Sequence, residues 1–257
     1  MGERTVDLQG KTFIVTGGGS GLGAGTARVF AEAGAHVAIL DVNETAGEQM
    51  AKEIGGHFVR TDVADSDSVK NAVVAVTGAG ALHGAVHCAG VGMAAKVLGK
   101  HGPHSAEEFA RVIQVNVIGT FNLICWVAAA LRDTEPSADG ERGVIVTTAS
   151  VAAFEGQIGQ AAYAASKGAV VSMTLPVARE LAAYGIRVAS IAPGIFDTPM
   201  LGQLPAEARS SRGAQVPFPP RLGQPSEYGM LARHIVENPM LNGEVIRLDG
   251  AIRMAPR

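Results

Sequence analysis

The sequence has little cysteine, few aromatic residues and almost no excess of one charge. Its 257 residues include two cysteines, and aromatic side chains make up 5% of the chain. Two cysteines in apolar runs form neither a disulfide framework nor a metal-binding cluster. Cys88 and Cys125 are therefore predicted to be small core residues of a protein from a reducing compartment. The net charge of −3 argues against a nucleic-acid partner or an anionic membrane surface.

Membrane-spanning and secretory segments are also missing from the pattern. No uninterrupted apolar run reaches the length of a membrane span. Only about ten residues precede the first β-like run, which leaves no room for a signal peptide. We therefore expect a soluble intracellular protein without membrane contacts.

Glycine and aliphatic residues are abundant instead. Hydrophobic residues make up 47% of the chain, and its 33 glycines suit a fold with many tight strand-to-helix turns. Seven β-like runs alternate with helical stretches, which predicts an α/β fold with a parallel sheet and helices on both faces. We see no domain break and no repeat, so residues 1–257 are predicted to form a single domain.

A glycine-rich turn joins the first predicted strand (11–16) to the first predicted helix (24–33). It reads G-G-G-S-G-L-G from Gly17 to Gly23, with the spacing T-G-x-x-x-G-x-G instead of G-x-G-x-x-G. Glycines in this position let a pyrophosphate approach the backbone, and the start of the helix offers unpaired N–H groups. The alternative is a tight turn that binds no ligand.

Asp41 ends the second predicted strand, about twenty residues after the glycine turn. A carboxylate there can bind both ribose hydroxyls of an adenosine and would repel a 2′-phosphate. Because Ser20 lies in the turn and no basic residue follows Asp41, the pattern favours NAD over NADP. Capping of the helix that begins near Glu44 is the alternative role. Asp62 and Val63 follow the third strand, where they border the adenine or cap the next helix.

Two longer segments are candidates for substrate contacts. Residues 91–105 carry Lys96, Lys100, His101 and His104, which either meet phosphates of a substrate handle or, as we favour, are simply solvated. The histidines have no further ligand pattern, so we predict no metal site. Residues 199–224 are rich in proline and weakly patterned, which suggests a mobile lid over a substrate.

Tyr163 and Lys167 lie four residues apart, so both side chains share one face of the helix that is predicted to run to about residue 183. A free tyrosine has a pKa of about 10, and lowering it by three units requires about 4 kcal/mol. We expect the Lys167 ammonium to supply this by stabilising the phenolate. Ser150 follows an apolar strand and is placed to donate a hydrogen bond to a reacting oxygen. Y-x-x-x-K alone arises often by chance, and an ordinary surface helix is the alternative.

Together these motifs resemble the short-chain dehydrogenase/reductase family along essentially the whole chain. The matching residues are Thr16-Gly17-x-x-x-Gly21-x-Gly23, Asp41, Asp62, Cys88-Ala89-Gly90, Asn116, Ser150, Tyr163-x-x-x-Lys167 and Pro193-Gly194. The family more usually has Asn at position 88. The resemblance implies a Rossmann-type, doubly wound parallel sheet of seven strands. It also implies cofactor contacts at Gly17, Ser20, Gly21, Leu22, Gly23, Asp41, Asp62, Val63, Cys88, Ala89, Gly90, Tyr163, Lys167, Pro193, Gly194, Phe196 and Thr198.

Further stretches are similar to the branch of this family that oxidises 3-hydroxyacyl-CoA thioesters. They are residues 154–160, 174–179, 192–196 and 241–254, and the length of the 91–105 loop also fits. The resemblance implies NAD-dependent oxidation of short or branched 3-hydroxyacyl-CoA, with steroid alcohols as side substrates, in a homotetramer. Cytoplasm is the expected location, with the mitochondrial matrix as the alternative.

The implied catalytic residues are Asn116, Ser150, Tyr163 and Lys167. Tyr163 would take the hydroxyl proton, Ser150 would position the substrate oxygen, and Lys167 would hold the nicotinamide ribose. Asn116, a polar amide in the apolar stretch 107–131, would keep a water that passes the proton on. Gln157 either contacts substrate, with Ser150 and Tyr163, or is an exposed loop residue.

Three alternatives remain at this stage. The same chemistry could act on another secondary alcohol, such as a steroid, a fatty alcohol or an acyl-carrier thioester. The chain could instead be a non-catalytic dinucleotide-binding scaffold, although an intact Ser150, Tyr163 and Lys167 argues against this. A purely structural interaction module would leave the glycine turn and Asp41 without a purpose.

Overall fold

A seven-stranded parallel sheet organises the chain. The structure is a computed structural model that describes residues 8–100, 102–202 and 206–256. The strands are β1 (Thr12–Thr16), β2 (His36–Asp41), β3 (His57–Arg60), β4 (Leu82–His87), β5 (Leu98–Gly99), β6 (Gly102–Pro103), β7 (Gly143–Thr148), β8 (Ile186–Pro193) and β9 (Val245–Leu248). The strand order in the parallel sheet is β3-β2-β1-β4-β7-β8-β9, and β5 and β6 form a separate antiparallel pair.

Helices cover both faces of the sheet. The helices are α1 (Gly21–Glu32), α2 (Glu44–Ile54), α3 (Ser66–Ala79), α4 (Ala106–Ile113), α5 (Gly119–Arg132), α6 (Ala161–Leu181), α7 (Pro199–Gly202), α8 (Ala206–Gly213) and α9 (Pro225–Glu237), with a π-helical turn (Gln114–Ile118) between α4 and α5 and 3₁₀ turns at Val151–Ala153 and Ala182–Tyr184. On one face of the sheet, α1 and α9 pack over Phe13 and Val15 of β1. On the other face, α3 and α5 pack over Ile14 of β1 and Ala85 of β4.

The central strands are buried on both sides, which explains their nearly continuous apolar runs. All six residues of β7 and all eight of β8 are buried. Strands of this kind need helices on both faces, joined by right-handed crossovers. The predicted doubly wound, Rossmann-type α/β fold is therefore confirmed.

Helix caps resolve two alternatives that the sequence left open. The Asn43 side chain accepts a hydrogen bond from Ala46 N and caps α2, and Asp65 caps α3. Neither Asp41 nor Asp62 is the capping residue of these helices. Both carboxylates instead lie at the carboxyl edge of the sheet, where β2 and β3 end.

The predicted long apolar helix exists but is not a regular α-helix. Residues 106–132 run through α4, the π-helical turn and α5, and they are long and apolar enough to span a membrane by length and composition. Of the most apolar 18-residue stretch of this segment, 44% is buried inside the protein, chiefly against α3 and β4. The π-helical turn contains Asn116, and such turns occur frequently at functional sites.

One local expectation was wrong, and two segments contain regular structure that their sequence pattern did not indicate. Cys125 is exposed rather than part of the core, because α5 is apolar on more than the face that packs against the sheet: Phe121, four residues earlier, is 48% exposed. The 91–105 loop contains the β5–β6 hairpin. Residues 199–224 are not patternless, since they include α7 and α8. Residue 101 and residues 203–205, which belong to these two segments, lie outside the described chain.

Candidate active site

The carboxyl ends of β1, β2, β4, β7 and β8 border a cavity of about 940 Å³. The strand order reverses between β1 and β4, and open α/β sheets bind ligands beside such a reversal. The candidate site residues that line this cavity are Gly17, Ser20, Gly21, Leu22, Gly23, Asp41, Asp62, Val63, Cys88, Ala89, Gly90, Ser150, Tyr163, Lys167, Pro193, Gly194, Phe196 and Thr198. Two other candidates, Asn116 and Gln157, do not line it.

The glycine turn packs too closely for larger residues. Gly17 has a φ of +61°, and a Cβ added there would lie 2.8 Å from the backbone nitrogen of Ala89. A Cβ on Gly23 would lie 2.2 Å from the Gly17 carbonyl oxygen. The Ser20 side chain makes no capping hydrogen bond, and the first turn of α1 has no acidic residue. This helix start therefore suits an anionic pyrophosphate.

Asp41 is held rigidly at the end of β2. Its Oδ2 accepts a hydrogen bond from Gly19 N at 2.9 Å, and its Oδ1 accepts one from Asn43 N at 2.9 Å. A carboxylate can accept further hydrogen bonds while keeping both of these. The carboxylate is thus fixed beside the glycine turn and remains able to bind hydroxyl groups.

Tyr163, Lys167 and Ser150 meet at the same cavity. Lys167 Nζ lies 5.7 Å from the centre of the Tyr163 ring and donates a hydrogen bond to the Thr148 carbonyl at 2.8 Å. Ser150 directly follows β7 after Ala149, and its hydroxyl oxygen accepts a hydrogen bond from Ala152 N. The Ser150 hydroxyl also lies close enough to Tyr163 to lower the pKa of its phenol. One face of α6 and the end of β7 thereby bring a phenol, an ammonium and a hydroxyl together.

The pKa of Tyr163 differs from the expectation. Burial raises it, and the neighbouring Ser150 hydroxyl opposes this without cancelling it. Burial also lowers the pKa of Lys167 to about 8. The ammonium was expected to lower the pKa of the phenol, but that lowering is not found, and desolvation of the phenolate decides the direction. Lys167 still supplies a positive charge beside Tyr163 at neutral pH.

Asn116 lies behind the cavity wall and organises it. Its Oδ1 accepts a hydrogen bond from Val91 N at 2.8 Å, while its Nδ2 donates to Val91 O and to Ser166 Oγ. The side-chain N–H groups are therefore occupied, and one lone pair of Oδ1 remains. A Cβ added to Gly90 would lie 3.2 Å from Asn116 Oδ1 and 3.6 Å from Lys167 Nζ. The amide and the ammonium thus approach the same glycine.

Two titratable groups, His87 behind the cavity wall and the half-buried Cys88 that lines the cavity, have no reactive properties of their own. His87 is 1% exposed, and burial, with a further contribution from Lys167, lowers its pKa to about 3. Its Nδ1 hydrogen-bonds to Thr16 Oγ1 at 2.7 Å, and within the described chain its Nε2 has no partner. Burial raises the pKa of Cys88 to about 11. The imidazole is therefore neutral and the thiol protonated at physiological pH.

The Gln157 side chain forms a hydrogen bond with the C-terminal part of the described chain. Its Nε2 donates a hydrogen bond to Ala255 O at 2.9 Å, and the neighbouring Ile158 N donates to Pro256 O. Glu155 accepts two hydrogen bonds from Arg247, which also pairs with Asp249. The loop 151–160 between Ser150 and Tyr163 is thereby fastened to the tail, residues 249–256.

Several cavity residues were not predicted. Gln160, Arg111, Arg212 and Met254 all line the cavity. Met254 comes from the tail and Arg212 from α8, in the segment whose sequence is weakly patterned. An arginine near the end of a short helical stretch was the available signal for Arg212, but the surrounding prolines obscured the helix. In the described ranges, no group of three His, Cys, Asp or Glu side chains is placed to hold a metal ion.

Comparisons with known proteins agree with this geometry. Residues 11–209 match the family model described as short chain dehydrogenase. A rat protein named 3-hydroxyacyl-CoA dehydrogenase type-2 is 52% identical over the full length of both chains, and its Drosophila melanogaster namesake is 52% identical over 95% of this chain and 97% of its own. Ipsdienol dehydrogenase from Ips pini is 34% identical over 96% of this chain and 99% of its own.

A solved structure of a similar protein has the same fold. The crystal structure of 3-hydroxyacyl-CoA dehydrogenase type-2 from Mycobacterium avium superimposes with a TM-score of 0.92 at 40% identity, covering 96% of this chain and 97% of that one. The glycine cradle, the fixed Asp41 carboxylate and the size of the cavity fit a dinucleotide. The chain belongs to the short chain dehydrogenase family and is an oxidoreductase that uses a nicotinamide dinucleotide cofactor.

Proposed function

We propose that the protein interconverts a 3-hydroxyacyl-CoA and the corresponding 3-oxoacyl-CoA with NAD. The observation that carries the reaction type is the convergence of Ser150, Tyr163 and Lys167 on the cavity that also contains the glycine turn. The substrate class is supported by the names of the full-length relatives.

The preference for NAD follows from the surroundings of Asp41. Its carboxylate is fixed by Gly19 N and Asn43 N and would repel a 2′-phosphate. Val42, which follows it, is apolar and 59% exposed, so it offers no positive charge to such a phosphate. NADP would therefore bind more weakly than NAD.

Each catalytic side chain has a distinct task. The cofactor supplies the acceptor for the hydride of the carbinol carbon. Tyr163 Oη, as phenolate, takes the proton of the substrate hydroxyl, and Ser150 donates a hydrogen bond to the same oxygen. Because burial raises the pKa of Tyr163, the phenolate depends on the positive charges that would lie beside it, those of Lys167 and of the oxidised nicotinamide. Lys167 would also hold a ribose hydroxyl of the cofactor. Asn116, which approaches Gly90 together with Lys167, keeps the water that carries the proton onward.

An acyl-CoA suits the positive charges of the 91–105 loop better than a steroid does. Lys96 and Lys100 are exposed there and available to phosphates. His104 is occupied locally, since its Nδ1 lies 2.8 Å from Ser105 O and its ring packs edge-on against Phe109.

A homotetramer is the proposed assembly. Ile118, Phe121 and Leu175 are 39–48% exposed on α5, α6 and the turn before α5. Such apolar side chains on neighbouring helices suit contact with further copies of the chain.

A substrate screen tests the proposal. Initial rates with NAD and with NADP are measured for 3-hydroxybutyryl-CoA, a branched 3-hydroxyacyl-CoA and a hydroxysteroid. We expect kcat/KM to be at least about tenfold higher for the CoA thioesters, and about 10- to 100-fold higher with NAD. Steroid oxidation without CoA-thioester oxidation would overturn the substrate class. NAD binding without turnover of any alcohol would support the scaffold alternative.

A further inference from the structure

The cavity wall contains one half-buried arginine, Arg212, for which the described part of the chain offers no neutralising carboxylate. Arg212, near the end of α8, lines the cavity together with Leu201 and Met254. Among the described residues, no carboxylate forms an ion pair with it and no hydrogen bond engages its side chain.

The other buried or half-buried arginines in the described part of the chain have carboxylate or carbonyl partners. Arg187 pairs with Glu141, Arg233 with Glu237, and Arg247 with Glu155. Arg142 donates hydrogen bonds to the carbonyl oxygens of Thr134 and Tyr184. A partly desolvated guanidinium without such partners is unfavourable unless a ligand supplies them. The environment of Arg212 therefore differs from that of its counterparts.

The backbone around Arg212 is held firmly. Gln215 N donates a hydrogen bond to Arg212 O, and Val216 N donates to Gly213 O. Val216 packs with Ile195 and Ile252 in a small apolar cluster that also includes Leu201 and Met254. The backbone of Arg212 is thus anchored beside a largely apolar part of the cavity wall, where a charged side chain can orient an anionic ligand group.

We propose that Arg212 binds an anionic group of the substrate and selects for substrates that carry one. This rests on the proposed function, because it assigns a specificity residue to the same site. The group is either a phosphate of CoA or a carboxylate on the acyl chain, both of which accept two parallel hydrogen bonds from arginine. A neutral hydroxysteroid offers neither, so Arg212 favours acyl thioesters over steroids.

The cofactor pyrophosphate is the competing anion. The glycine turn and the start of α1 already provide backbone N–H groups for it. NAD affinity of each variant therefore has to be measured beside the kinetics.

The experiment compares Arg212→Leu and Arg212→Lys with the wild type. Arg132→Leu is the control, since Arg132 is exposed, pairs only with the adjacent Asp133 and lies outside the cavity. The three substrates are 3-hydroxybutyryl-CoA, the N-acetylcysteamine thioester of 3-hydroxybutyrate, which lacks the phosphates, and the N-acetylcysteamine thioester of 3-hydroxyglutarate, which adds a carboxylate. NAD affinity is measured by calorimetry.

We expect Arg212→Leu to lower kcat/KM about tenfold for an anionic substrate, through KM, and to leave the neutral thioester unchanged. Arg212→Lys should retain most of the activity, and Arg132→Leu all of it. Loss with the CoA thioester alone identifies a phosphate, whereas loss with the glutarate thioester identifies the acyl carboxylate.

Equal loss for all three substrates, no loss for any, or weaker NAD binding would overturn the proposal. If the wild type oxidises the CoA thioester and the variants do as well, only the role of Arg212 fails. If the wild type oxidises none of the thioesters, the proposed function fails and this inference fails with it.

Discussion

Two walls of the same cavity are built in different ways. The cofactor wall, residues 17–23, 41, 62–63 and 88–90, consists of backbone and short side chains at the ends of β1 to β4. The substrate wall, formed by loop 151–160, α7, α8 and the tail, depends on long side chains and ion pairs. A Cβ at Gly17 or Gly23 would collide with backbone.

The topology of the fold determines the cofactor wall, whereas the same fold can carry different substrate walls. Backbone at the crossover between β1 and β4 cannot change without moving the sheet, so the cofactor wall is set by the topology. Contacts such as Glu155 with Arg247 join segments that are far apart in sequence and can be exchanged for others. Substrate preference can therefore vary while the cofactor site is retained.

The largest expected effect is at Tyr163, where the two walls meet. Tyr163→Phe removes the phenol oxygen that accepts the substrate proton but keeps the ring in α6. We expect kcat to fall about 10²- to 10⁴-fold, the usual contribution of a general base, with little change in NAD affinity. Steady-state kinetics with 3-hydroxybutyryl-CoA and calorimetry with NAD measure these two quantities.

Tyr184→Phe is the matched control. Tyr184 lies in the 3₁₀ turn after α6, is 44% exposed and does not line the cavity. It should keep wild-type kinetics. Near-normal turnover in Tyr163→Phe would show that another group takes the proton.

The next effect concerns the cofactor wall. Asp41→Asn keeps a side-chain oxygen for Gly19 N or Asn43 N but removes the charge that repels a 2′-phosphate. We expect kcat/KM for NAD to fall about 10- to 100-fold, because hydrogen bonds to a charged acceptor contribute about 1.5–3 kcal/mol. The value for NADP should rise. Asp139→Asn, in an exposed loop outside the cavity, controls for the change in net charge.

An unchanged ratio of NAD to NADP efficiency in Asp41→Asn would contradict this assignment. It would mean that cofactor choice depends on the rest of the glycine turn and not on the carboxylate at the end of β2. The kinetics of both cofactors must therefore be measured with the same substrate.

The cofactor wall could be predicted from the sequence because its signals are local. The turn from Gly17 to Gly23 and the four-residue spacing of Tyr163 and Lys167 are short patterns. The parallel topology then brings the strand ends to one edge. The same logic placed Asp41 beside the glycine turn, since its distance along the chain matches one strand–helix–strand unit.

The substrate wall could not be predicted because its contacts are long-range. Gln157 bonds to Ala255, 98 residues away, which no local pattern indicates. The raised pKa of Tyr163 arises from burial by tertiary packing, and the sequence showed only the nearby lysine. Cys125 was misassigned for a related reason, since apolar neighbours along a helix do not reveal which face meets the sheet.

The smallest expected effect is at Glu155, on the substrate wall. Glu155→Gln weakens the ion pairs with Arg247 of β9 and with Arg253 of the tail, and thereby loosens the tail that carries Met254 into the cavity. The Glu155 and Arg247 side chains are 25% and 22% exposed, and Arg247 keeps Asp249 as a partner, so we expect only about a fivefold loss in kcat/KM, through KM. NAD affinity should not change. Glu53→Gln breaks the exposed pair with Arg28 and serves as the control. Weaker NAD binding in Glu155→Gln would show that the two walls are coupled, contrary to the separation drawn from their construction.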